Sequence, residues 1–299
     1  MSTAPAAPAS PAGAGAPFPA GGTAGYRPGR TLRLRVEARR QLRRRRTIIV
    51  FGLLVALPFI LMAAFAIGGT PSEGSNGPTL IDTATASGAN FAATCLFVSA
   101  GFVLVVPVAL FCGDTVASEA GWSSLRYLLA APVPRTRLLS VKFTVALAFS
   151  AVAILVLPAV ALLAGTVAYG WGGLQLPAGG ELASGHAVPR MVIAVVYIMV
   201  SQLVTAALAF WLSTITDAPL GAVGGAVGLT IVGNVLDAVT ALKSYRDVLP
   251  AHWQFSWLDS VQPTMEWSGM LQGTSVSVSY ALVFTALAFR GFRTKDIVS

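Results

Sequence analysis

The sequence predicts an all-α, polytopic membrane protein with six transmembrane helices, both termini in the cytoplasm and an amphipathic interfacial helix ahead of the first span. Three observations carry this prediction: an apolar composition, six long apolar segments, and basic residues gathered on one side of them. Of 299 residues, 55% are hydrophobic and only 11% are charged, whereas a soluble domain carries about 25% charged residues. A mean hydropathy of +0.72 leaves too little polar surface to coat a water-soluble chain of this length, so lipid is expected to be the main solvent.

Taken in order, residues 1–29 are almost all Ala, Pro, Gly, Ser and Thr, with the first charge at Arg27, and are expected to be a disordered tail. The first apolar run starts only at Thr47 and is too long for a secretory signal. Residues 30–46 mix Leu32, Val36 and Leu42 with many arginines. That mixture suits a helix at headgroup level, with Arg39, Arg40, Arg43, Arg44, Arg45 and Arg46 anchored on anionic lipid. Because an apolar segment follows at once, the cluster reads as a topology signal, and no nucleic-acid partner is expected.

Residues 47–299 form the membrane domain. A span needs about 20 apolar residues, and the candidates are Thr47–Ile67, Phe91–Phe111, Phe143–Ala164, Met191–Trp211, Leu220–Leu236 and Met270–Phe289. The fifth is short; it is either re-entrant or continues through Asp237 toward Ala241. Cys95 and Cys112 fall on the second, about 26 Å apart on a straight helix and too far for a disulfide. With these spans, one face of the membrane receives 17 basic and five acidic residues and the other three basic and seven acidic. The net charges of +12 and −4 place both termini inside.

The span centres carry no ionisable residue, which disfavours a proton- or sodium-driven carrier. Gln202 and Asn234 are the main polar residues at depth. They either line a pathway or, more commonly for such residues, hydrogen-bond neighbouring helices. Gly221/Gly225 and Gly224/Gly228 form two small-xxx-small patterns on the fifth span, where another helix is expected to approach closely. The outer segment 237–269 holds Tyr245, Trp253, Phe255, Trp257 and Trp267, and reads as one or two short helices against the outer leaflet.

The cytoplasmic segment 112–142 is the most informative. Asp114 is placed to cap a helix, and Trp122, Leu125 and Leu129 form an apolar stripe at helical spacing. Glu119 and Arg126 stay polar, and Pro132 and Pro134 end the helix. A basic turn follows at Arg135, Arg137 and Lys142.

This order of elements resembles the type 2 ABC transporter permeases. Their loop between spans two and three carries a Glu, a Gly-Thr-Leu, a Leu-Leu, a Pro, an Arg and a Lys. The matching residues are Glu119, Leu125, Leu128-Leu129, Pro132, Arg135 and Lys142, with Ser123-Ser124 where Gly-Thr is frequent. Glu37 followed by Arg39-Arg40 and Arg43 to Arg46 is similar to that family's leading helix. The resemblance runs from about Arg30 to the end of the chain.

It implies the permease subunit of an ATP-driven exporter, moving a hydrophobic or amphipathic substrate (drug, antibiotic, lipid or peptide) by alternating access. A coupling helix would transmit closure of a separate cytoplasmic ABC ATPase, through Asp114, Glu119, Leu125, Arg126, Pro132 and Arg135. A second copy or a sister permease would complete the pathway in a prokaryotic plasma membrane. No cofactor is expected on this chain, since it lacks a phosphate-cradling G-x-x-x-x-G-K-[ST] loop; ATP and Mg belong to the partner subunit. No metal or catalytic residue is expected either: His186 and His252 lie in outer loops without zinc-protease spacing. The alternatives are an ATPase-independent membrane scaffold or immunity protein and, disfavoured by the uncharged spans, a secondary carrier.

Overall fold

The computed structural model describes residues 34–68, 79–121, 134–175 and 181–294. The tail at 1–29 and the loop residues Trp122, Leu125, Arg126, Leu129 and Pro132 lie outside the described residues. What is described is mostly helical, and several helices are apolar and long enough to cross a bilayer.

A short helix α1 (Leu34–Leu42) turns at Arg43 and Arg44 into α2 (Arg45–Gly68). On α1 the buried residues are Glu37 and Gln41, four apart and therefore on one face. Leu34, Val36 and Leu42 are exposed, so this helix turns its polar side inward and leaves its apolar side outward.

The segment expected as the second span, Phe91–Phe111, is not one straight helix. It consists of α4 (Gly88–Ala100) and α5 (Val105–Gly121), preceded by a small capped helix α3 (Leu80–Thr85), and the two halves meet at an angle of 52°. At the break the Leu104 N–H reaches back five residues to Ser99 O. Cys95 and Cys112 sit one on each half, both buried. Since α5 runs to Gly121, Asp114 lies inside a helix and does not cap one.

Helix α6 (Arg135–Tyr169) has 35 residues and is about 52 Å long, against an apolar core of about 30 Å. Its first turns therefore overshoot the membrane, and Arg135, Arg137 and Lys142 belong to this helix, where a loop turn was expected. A two-stranded hairpin, β1 (Leu174–Gln175) with β2 (Glu181–Leu182), precedes α7 (Ser184–Ser201), which passes through Gln202 into α8 (Leu203–Ile215). The fifth segment is a 20-residue helix, α9 (Pro219–Ala238), which continues through Asp237 and is long and apolar enough to cross a membrane. Helix α10 (Ser268–Thr294) closes the chain.

Between α9 and α10 the segment expected to lie outside forms three 3-10 turns, Thr240–Val248, Pro250–Trp253 and Ser256–Val261. It does not simply lie on lipid. Trp257 is fully buried, Arg190 Nη1 donates to Ser260 O at 2.9 Å, and Tyr197 Oη donates to Trp253 O at 2.6 Å. Tyr245, Phe255 and Trp267 remain exposed.

The closest backbone crossing is that of α4 with α6, while the glycine-rich α9 is approached at Ala222 and Val223 by Gly113 of α5, a Cβ on which would lie 3.2 Å from Val223 N. A Cβ built on Gly88 would lie 2.6 Å from Thr166 N and 2.8 Å from its Cα, and one on Gly165 would meet Phe91 and Gly88. Helices α4 and α6 touch there backbone to backbone, which only glycine allows. By contrast Gly224 and Gly228 have nothing within 4 Å, while Gly225 faces Leu212 and Gly221 faces Ala218 and Thr216.

Candidate functional site

Two places in the molecule concentrate buried polar groups: a node of ion pairs where α1 and the start of α2 meet α5 and α6, and a cleft among the apolar helices.

The node is built on Asp114, Glu119 and Lys142, each only 1% exposed. Such burial of charge is tolerated only where partners and hydrogen bonds replace water. Lys142 Nζ donates to Glu119 Oε1 at 2.6 Å and to Glu37 Oε1 at 3.0 Å, and Arg40 Nη1 donates to the same Glu119 oxygen at 2.7 Å. Asp114 accepts from Arg44 and Arg46, one on each carboxylate oxygen. Asp114 and Glu119 are five residues apart on α5, so they reach α1, α2 and α6 together. Ser213 Oγ at the end of α8 accepts from Val116 N and Ala117 N, which ties a further helix to the same stretch.

The arginine cluster thus divides. Arg40, Arg44 and Arg46 turn to buried carboxylates, while Arg39, Arg43 and Arg45 are exposed and free to meet lipid headgroups. Arg135 Nη1 donates to Arg293 O at 3.2 Å, joining the start of α6 to the end of α10. The helix carrying Asp114 and Glu119 ends at Gly121 and the one carrying Lys142 starts at Arg135, so the two helices that flank residues 122–133 in sequence both carry node residues; Leu125, Arg126 and Pro132 lie outside the described residues. Glu37 and Lys142 complete the node although neither stood among the expected coupling residues. The signal for Lys142 was a lone lysine at the edge of an apolar run, and the signal for Glu37 a lone acid among arginines.

The cleft lies among α8, α9 and α10. Helices α9 and α10 each pack on α8 but hardly touch one another, so they form two walls over an α8 floor. The opening has a volume of about 330 Å³ and is largely apolar, with Trp211, Leu208 and Phe284 among its lining residues. Trp211 of α8 stacks on Phe284 of α10, ring centroids 5.6 Å apart. Pro250, Ala251 and Gln254 roof one end. The roof is held by Asp237 at the end of α9, whose Oδ1 contacts His252 Nδ1 at 2.7 Å and accepts from Arg246 Nε at 3.1 Å.

Gln202 and Asn234 both line this cleft. Gln202 sits where α7 gives way to α8, and its Nε2 donates at 3.4 Å to Ala100 O, a carbonyl at the break between α4 and α5. Two interrupted helices therefore meet at one side-chain amide. Its other end, Oε1, is buried and has no partner among the described residues. Gln254 adjoins the same break, since a Cβ on Gly101 would lie 3.0 Å from its Nε2.

Comparison with known proteins adds lineage. Over 193 residues the chain is 27% identical to a protein of Bacillus subtilis (strain 168) named "Uncharacterized protein YhcI", an alignment covering 62% of this chain and 61% of that relative. The chain thus spans about three fifths of the relative's length. A family profile described as "Protein of unknown function (DUF2705)" matches residues 60–298, which takes in every apolar helix except the first half of α2. The chain belongs to the DUF2705 family.

Proposed function

We propose that this chain is the membrane-spanning subunit of an ATP-driven exporter of the ABC type 2 class. In this reading the bent pair α4–α5 counts as one span. With α2, α6, α7–α8, α9 and α10 the total is then six, and both termini are cytoplasmic, as the distribution of basic residues requires. A separate cytoplasmic ATPase hydrolyses ATP, a second copy or a sister permease faces this one, and the cargo is hydrophobic or amphipathic.

The observation that carries the reading is the ion-pair node at the root of the segment between α5 and α6. A cytoplasmic partner that moved this segment would act on α5 and α6 directly. Through Glu119, Lys142 and Asp114 it would also act on α1 and α2. Buried ion pairs strongly resist being pulled apart, so the displacement passes to the spans as a unit. A loop that served only to connect two helices would need no such anchoring.

The test is to purify the tagged chain from its native membrane in mild detergent, identify the proteins that accompany it, and repeat with Glu119→Lys. Recovery of a nucleotide-binding subunit from the unmodified chain, and its loss or inactivity with the variant, supports the exporter. If no ATPase accompanies the chain under conditions that preserve other membrane complexes, the exporter reading falls and a membrane scaffold takes its place.

A further inference from the structure

We infer that the head of α2 is a binding site for one anionic phospholipid, its phosphate on Arg43 and Arg45 and an acyl chain along the outward stripe of the helix. The site needs a bilayer and no ATPase, so it does not rest on the exporter reading.

The argument starts from charge. Seven arginines lie between Arg35 and Arg46, and of these Arg40, Arg44 and Arg46 form ion pairs among the described residues. With Lys142 they put four cations on three carboxylates, Glu37, Asp114 and Glu119, so the node has no acid to spare. Arg43 and Arg45 are exposed on either side of Arg44, which is held on Asp114. The backbone between them is held too, since Thr47 N and Ile48 N both donate to Arg44 O. No acid stands in the first turn of α2. Two unpaired guanidinium groups on a fixed piece of backbone fit a phosphate, whose oxygens each can grip in pairs.

The surface of α2 decides which phosphate. The buried residues of this helix are Thr47, Leu54 and Pro58. On the opposite side Arg45, Ile49, Leu53 and Ile60 make one stripe at helical spacing, and its three apolar members are each more than half exposed. Only 11% of the most apolar stretch of α2 is buried inside the protein, so the stripe faces acyl chains. From Ile49 to Ile60 it runs about 16 Å, close to one leaflet of an apolar core of about 30 Å. A cation therefore stands at the polar end of an apolar stripe one leaflet deep, the order in which a phospholipid presents phosphate and chain. A free phosphate or a nucleic acid would use the arginines and leave the stripe bare. A zwitterionic headgroup brings an ammonium that unpaired guanidinium groups repel, so the anionic lipid is selected.

The experiment uses the full chain, purified in detergent and stripped of lipid, with bound molecules counted by native mass spectrometry. The probes are phosphatidylglycerol and phosphatidylcholine with the same acyl chains, and glycerol 1-phosphate as a headgroup without chains. Phosphatidylglycerol is expected to fill one site ahead of any other. It should bind more tightly than phosphatidylcholine by about fivefold for each of the two arginines, about 25-fold in all. Arg43→Gln and Arg45→Gln should each weaken phosphatidylglycerol about fivefold, leave phosphatidylcholine unchanged, and leave the melting temperature of the lipid-free chain unchanged, since neither residue has a partner to lose. Lys243→Gln, which removes one charge from an exposed residue far along the chain, should alter neither lipid. If one arginine variant does not fold, the other and the comparison of lipids on the parent decide the matter.

Equal binding of the two lipids, or a loss with Lys243→Gln as large as with Arg45→Gln, overturns the inference. So does binding of glycerol 1-phosphate as tight as that of the lipid, or displacement of the lipid by an oligonucleotide at equal phosphate concentration, since either would show that the stripe takes no part. None of these measurements involves an ATPase. Failure of the exporter reading therefore leaves the lipid result standing, and failure of lipid binding leaves the exporter reading to its own test.

Discussion

The ion-pair node and the cleft among α8, α9 and α10 use buried polarity in different ways. In the node, carboxylates on α1 and α5 face cations from α1, α2 and α6, and bonds run between elements. In the cleft, one amide is bonded at one end only, and two helices that share a floor stand apart from each other. The node joins several elements at once through ion pairs, and the cleft leaves space between two helices that share a floor. The exporter subunit proposed for this chain would use the first kind of place to receive force.

The comparison breaks most readily at Lys142. Lys142→Met leaves Glu37 and Glu119 buried and facing each other, and the expected cost is about 3–5 kcal/mol. It would be read as a large fall in melting temperature in detergent, with loss of the monodisperse peak on size-exclusion chromatography. A fall as small as that from replacing exposed Arg39 would show that the node is not rigid.

Next in size is the helix crossing. Gly88→Ala drives a Cβ into the backbone of Thr166, which should cost about 1–3 kcal/mol. Gly228→Ala meets nothing within 4 Å and should stay within about 0.5 kcal/mol of the parent. Thermal unfolding of the two side by side tests which glycines hold the bundle.

Asp114→Asn should cost less than Lys142→Met, about 1–2 kcal/mol, because Arg46 is largely exposed and can swing to lipid phosphate when its partner weakens. Gln202→Leu removes a half-bonded amide and should change stability by no more than about 0.5 kcal/mol, in contrast to every node variant. Melting curves of both variants place the two regions on one scale.

The smallest effect is on pH. Burial first, and then Glu266, raise the Asp259 carboxyl above its ordinary value. The folded outer segment therefore favours the protonated acid, and stability from this group is present at acid pH and lost as pH rises through its raised value. Asp259→Asn should slightly stabilise the segment at neutral pH and lose that advantage below the ordinary carboxylate range, which limited proteolysis across pH would show.

Much of this was legible in the sequence and some was not, for definite reasons. Membrane character and the approximate helix positions follow from hydropathy, which is local. The break at Gly101 to Leu104 was hidden because the run stays apolar across it, and hydropathy is blind to a five-residue backbone step. Asp114 read as a cap because acidic residues commonly start helices; its role as a helix-interior acid depends on Arg44 and Arg46, some seventy residues away. The glycines of α9 drew attention by their number, whereas the tight contacts belong to single glycines on other helices: Gly88 and Gly165, far apart in sequence, and Gly113, which packs on the α9 backbone. Gln202 and Asn234 were visible as polar residues at depth, but only the fold places both on one cleft.

The central claim is that the node passes motion from a cytoplasmic ATPase to the spans. The most direct measurement is ATP hydrolysis by the complex purified through this chain, comparing the parent with Glu119→Gln and with Arg39→Gln as an exposed control. The account predicts a co-purifying ATPase whose hydrolysis falls severalfold with Glu119→Gln while the chain remains folded, and is unchanged with Arg39→Gln. Equal hydrolysis in all three complexes, or no ATPase in any of them, would contradict it.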